Sequence, residues 1–89
     1  MKEFKVEYYL ESAKHSLAIW EKGVKKIEDG TFKYDGSMPE SCTNALYYSK
    51  VEVYKDVIEY LESLPLDLVL ATSRGLTEEG VKYYKMVNK

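Results

Sequence analysis

The chain of 89 residues sets thirteen Lys and Arg against fifteen Asp and Glu, a formal net charge of −2, and 45% of it is apolar. That length makes one domain, residues 1–89, with enough apolar material for a core and no charge excess to drive binding to a long nucleic acid. No apolar run nears the roughly 18 residues of a membrane span and the N-terminus lacks a signal-peptide core, so a cytoplasmic domain without a membrane partner is expected.

The first element is a helix over about residues 3–29. Val6, Leu10, Ala13, Leu17, Trp20, Val24 and Ile27 recur at alternating spacings of 4 and 3, the a/d stripe of a coiled-coil-like seam. Lys25 and Lys26 suit the negative end of its dipole, and Gly30 is the natural residue to end it. Two Asp-Gly pairs then bracket Phe32 and Tyr34, a loop that reads as a turn or a short extended stretch over 31–34. Phe32 is expected to fold inward as a plug near Ile27 and Leu46, with Tyr34 displayed outward.

Ser37-Met38-Pro39-Glu40 matches a capping box, so a second helix is predicted from about 38 to 63. Its apolar residues fall in two stripes, Leu46-Val53-Val57-Tyr60-Leu64 and Tyr47-Val51-Tyr54-Ile58-Leu61. Two such stripes make an arc too wide for one partner helix to cover. Leu64-Pro65 ends this helix, and the apolar run Leu66 to Ala71 reads as a short helix, with a strand as the alternative. Thr72-Ser73-Arg74-Gly75 is a turn, and Thr77 caps a last helix carrying Val81, Tyr84 and Val87. The expected fold is all-α: a long antiparallel helical hairpin with one or two short C-terminal helices.

Chemistry-bearing residues are scarce. The single Cys42 and single His15 fall on different predicted helices, and no phosphate-binding glycine motif, metalloprotease motif or paired carboxylate signature occurs. No catalytic residue, metal ligand or cofactor is therefore assigned, and the protein is not read as an enzyme. Phe4, Tyr8, His15 and Ile19 cluster opposite the main stripe of the first helix, beside Ser12 and Ser16. They mark a partner or oligomer surface, unless the C-terminal segment folds over them. Phe4, Tyr8 and Ile19, or Tyr47 and Tyr54 of the second helix, are the expected interface of a homo-oligomer, a dimer or higher.

The only arginine, Arg74, lies with Thr72 and Ser73 just ahead of a capped helix terminus, a combination suited to an anion. Nine tyrosines include the adjacent pairs Tyr8-Tyr9, Tyr47-Tyr48 and Tyr83-Tyr84. Neighbours on a helix point about 100° apart, so one member of each pair is displayed for a protein partner or for stacking on a base. Arg74, Ser73, Thr72, Tyr34, Tyr8 and Tyr48 are the candidate binding residues.

Pro39, Ser41, Leu46 and the run Ser49-Lys50-Val51-Glu52 resemble the start of the second hairpin helix in small phage proteins, the anti-CBASS-type nucleotide sponges. The likeness spans about fourteen of the 89 residues, and Cys42 stands where that pattern has a basic residue, so no ligand residue is carried over. The resemblance implies a helical homo-oligomer with an anti-defence role. It favours a phage-type stoichiometric inhibitor of a host protein; the alternatives are an oligomeric sponge that sequesters a small cyclic nucleotide, held by Arg74 with Ser73 and a stacked tyrosine between protomers, and a structural phage protein.

Overall fold

The computed structural model describes residues 2–88. In chain order the elements are β1 (Glu3–Lys5), α1 (Val6–Asp29), α2 (Glu40–Glu62), β2 (Val69–Thr72), β3 (Gly75–Leu76) and α3 (Glu78–Val87). The described chain is 66% helical but not all-α, because β1, β2 and β3 form a small antiparallel sheet in that order.

The sheet corrects two expectations. Glu3 and Phe4 pair with Thr72 and Ala71, so they extend as a strand and α1 begins only at Val6. Residues 69–71, read from sequence as part of a short helix with a strand as the alternative, and Thr72, read as part of a turn, are the central strand between β1 and β3. One physical need explains both. A helix start leaves its first amides unpaired, and Lys5 offers no side-chain cap. Here the Val6 and Glu7 amides donate to the Leu68 and Leu66 carbonyls at 2.9 and 3.1 Å. The C-terminal segment thus caps α1 with its backbone, and the strand pairing continues from that contact. Residues 31–35 adopt no regular structure, and no strand forms over 31–34.

The predicted capping box also does not form. The Ser37 hydroxyl and amide both donate to the Asp35 carboxylate, at 2.6 and 2.9 Å, and α2 starts at Glu40 after Pro39 without a side-chain cap. A charged acceptor two residues away wins the hydroxyl before the helix amides are reached. By contrast, Gly30 ends α1 in the left-handed region at φ 78°, as glycine alone does without strain. Thr77 caps α3, accepting from the Gly80 amide at 3.2 Å. Its hydroxyl also lies 2.9 Å from the Val69 carbonyl, and its amide donates to the Leu70 carbonyl at 3.0 Å. One threonine therefore both starts α3 and fastens it to β2.

All seven residues of the α1 stripe are buried or half-buried. The core itself is concentrated beside the sheet: Val6, Ala13, Val57, Leu61 and Leu70 form the buried cluster, with Tyr9, Tyr54, Ile58 and Tyr83 among the residues packed around it. Towards the first loop α1 and α2 still touch, through Gly23 and Trp20 against the Tyr47 ring. Among the described residues no helix is long and apolar enough to cross a membrane.

Candidate functional site

The sheet end carries a continuous aromatic chain. Strand pairing places Phe4, whose ring lies 5.4 Å from Tyr8 in the first turn of α1. Tyr8 stands 5.2 Å from Tyr9, and Tyr9 stands 4.8 Å from Tyr83 of α3. The Lys2 ammonium sits 5.2 Å from the Phe4 ring centroid, a cation over an aromatic face. Tyr8 is 57% exposed and Tyr84, on the same short helix as Tyr83, is 56% exposed. Leu76 and Val81 are exposed apolar residues of the same β3–α3 segment.

The adjacent tyrosines divide as a helix requires. Tyr8, Tyr48 and Tyr84 face solvent, whereas Tyr9, Tyr47 and Tyr83 are half-buried. Burial pushes the Tyr83 phenol up to about 12, reinforced by the nearby Tyr54, Tyr9 and Tyr8. Tyr9 is raised by burial and then by Tyr8. These groups stay protonated and neutral, so the cluster offers ring faces and hydroxyl donors rather than a base. Tyr60 is likewise pushed up to about 12, by burial and by donating to the Glu79 carboxylate at 2.6 Å, a bond that ties α2 to α3.

This arrangement predicts a specific alkaline weakness. Tyr60 and Tyr83 hold their protons in the folded state to about 12, against an ordinary phenol value of 10.0. Their contribution to stability is complete below pH 10 and is lost as pH rises towards 12, because the unfolded chain ionises first. Melting temperature should therefore fall steeply across that interval, and more gently in a Tyr60→Phe/Tyr83→Phe double variant. Equal slopes in the two proteins would contradict this assignment.

The other sequence-derived candidates are spread over the molecule. Arg74 and Ser73 are exposed at the turn between β2 and β3, and the Arg74 amide donates to the Thr72 hydroxyl at 3.1 Å. Tyr34 and Tyr48 belong to the loop end, where the Tyr48 hydroxyl meets Glu28 at 3.2 Å. Thr72 pairs with Glu3, and Glu3 and Glu28 bracket nearly all of α1. At about 1.5 Å per helical residue this puts over 30 Å between the two groups, so a single chain does not bring Arg74 and these tyrosines to one ligand. His15 and Cys42 are both exposed, and among the described residues no group of three or more His, Cys, Asp and Glu is placed to hold a metal.

Of the expected oligomer residues, Tyr47 and Tyr54 are engaged within the chain. Tyr47 packs on Trp20 at 4.8 Å and Phe32 at 5.0 Å, and Tyr54 packs against the core cluster. Phe4 is half-buried beside Tyr8, and Ile19 remains 55% exposed. In the first loop Phe32 and Tyr34 are both half-buried, with rings 4.7 Å apart. Tyr34 is therefore not simply displayed: its hydroxyl donates to Asn44 Oδ1 at 2.5 Å. These rings, with Met38, Thr43, Leu46 and Tyr47, line a cleft of about 270 Å³.

Sequence reasoning missed Tyr9 and Tyr83 as meeting partners. Their only advance signal was membership of adjacent tyrosine pairs, which says that one ring turns inward without saying what it meets. No protein-family model, curated protein or solved structure matches this chain.

Proposed function

We propose that the protein is a non-enzymatic binding protein, a phage-type stoichiometric inhibitor that occupies a host protein through its sheet end. In this reading α1 and α2 form the long antiparallel hairpin, and the sheet with α3 is the recognition head mounted on it. One observation carries the reading. Tyr8 and Tyr84, each more than half exposed, share the sheet end with Leu76 and Val81, and Arg74 projects from the neighbouring turn. Tyrosine and arginine dominate the binding energy of protein interfaces because each joins a large contact area to a hydrogen-bonding tip. A surface of this type acts by mass action, so inhibition needs equimolar protein and no turnover.

The test is affinity capture from a bacterial lysate with three immobilised proteins: wild type, Tyr8→Ala/Tyr84→Ala and Leu46→Glu. Wild type and Leu46→Glu should retain the same single protein near equal stoichiometry. The double variant should bind it at least 30-fold more weakly, the scale of about 2 kcal/mol for a hot-spot residue. Its melting temperature should change little, since both rings are mostly in solvent. Capture that ignores the double substitution, or a small nucleotide as the sole bound species, would overturn the reading.

A further inference from the structure

The molecule has more surface than its mass requires. A compact chain of 10.3 kDa exposes about 5,350 Å², whereas this one exposes 6279 Å². Its radius of gyration is 15.4 Å, against about 12 Å for a compact domain of this length. The excess area, about 900 Å², is close to the roughly 800 Å² that each partner buries in a stable interface of standard size.

The structure also locates the excess. Val6, Val57, Leu61 and Leu70, the largest fully buried side chains, all belong to the cluster beside the sheet. α3 covers α2 there, with Tyr60 held by Glu79 and Leu64 packed on the cluster. At about 1.5 Å per residue, α3 is some 15 Å long, against about 35 Å for α2. The row of α2 that runs through Val57, Tyr60 and Leu64 continues through Val53, which still packs against the cluster, to Leu46 beyond it. Leu46 is 39% exposed. On α1, Leu17, Trp20, Val24 and Ile27 are only half-buried in this region, and Ile19 is exposed. Ile19 and Leu46 both flank the Gly23–Tyr47 contact: one lies a turn before Gly23, the other next to Tyr47.

We propose that this two-helix arm is half of a four-helix bundle, completed by the arm of a second copy of the chain across a two-fold axis. A second copy fits for two reasons. The excess area is close to one side of a standard dimer. Ser12 and Ser16, beside Ile19 on α1, let another helix approach closely. A two-fold arrangement uses the same patch on both protomers, so one surface suffices. The dimer surface is centred on Ile19 and Leu46, eleven residues along α1 from Tyr8, so Tyr84 and Arg74 stay available on each protomer, and it stands whether or not the sheet end binds a host protein.

Sedimentation equilibrium or light scattering of the purified full chain tests this. The wild type should have twice the mass of the 10.3 kDa chain at concentrations well above micromolar. Leu46→Glu and Ile19→Glu should each return it to the chain mass while keeping the wild-type helical circular dichroism. If Leu46→Glu loses that signal, Ile19→Glu, at a position more than half exposed, carries the test alone. A wild type that stays at the chain mass, a folded Ile19→Glu that remains dimeric, or an assembly larger than two chains would overturn the proposal.

Discussion

Leu61→Ala is expected to be among the most damaging single substitutions in the chain, at about 2–5 kcal/mol. Leu61 is fully buried and meets Val6, Ala13, Val57 and Leu70, which come from both long helices and the central strand. Removing its branched end loses the transfer energy of three carbons and leaves a cavity walled by three elements that cannot all close in. A domain of this size has only about 4–13 kcal/mol in total, so the loss removes a large fraction of it. Leu17→Ala deletes the same atoms from a half-buried site on the arm, where solvent reaches the gap, and should cost only about 1 kcal/mol. Urea unfolding of both variants in a Leu46→Glu background removes any contribution from dimerisation. Equal losses at Leu61 and Leu17 would mean that the core is not concentrated beside the sheet.

Gly80→Ala should be nearly as costly, at about 2–3 kcal/mol, although alanine is the better helix former by about 1 kcal/mol. A methyl at Gly80 would fall on the Leu70 carbonyl oxygen. That oxygen belongs to the central strand and already accepts the Thr77 amide at 3.0 Å, so it cannot move without breaking the joint between β2 and α3. Gly23 provides the comparison. A methyl there would meet only a side chain, the Tyr47 ring, whose displacement disturbs Trp20 and Phe32 but no backbone hydrogen bond, so Gly23→Ala recovers part of its cost as helix propensity. Thermal unfolding should rank Gly80→Ala well below Gly23→Ala, with α3 the first segment to become protease-sensitive. A Gly80→Ala protein as stable as wild type would show that α3 docks loosely enough to shift aside.

Which parts of this structure were legible beforehand follows from the range of the forces involved. The Val6–Ile27 stripe, the Gly30 terminus and the Thr77 cap depend on residues within about one or two helical turns, so the local pattern carries the whole cause. The Ser37–Glu40 box failed as a prediction although it too is local, because Asp35 competes for the same hydroxyl at shorter reach. The sheet was out of range altogether. Phe4 pairs with Ala71, and the amides at the start of α1 find their acceptors at Leu66 and Leu68. A three-residue strand has no period of its own to read, and its partner lies at the other end of the chain.

The candidate site divides in the same way. The sequence by itself determined that two long helices form and that each adjacent tyrosine pair on a helix turns one ring in and one out. Only the tertiary structure decided which rings turn inward, because that depends on α3 docking against β2 and bringing Tyr83 onto Tyr9. It also decided that the sheet, rather than helix–helix contact alone, encloses the core, and that the arm is left with an uncovered face. The reason is physical: periodicity sets how a helix distributes its side chains, but burial is settled by which distant backbone supplies the missing hydrogen bonds and where the chain runs out of elements to lay over what remains.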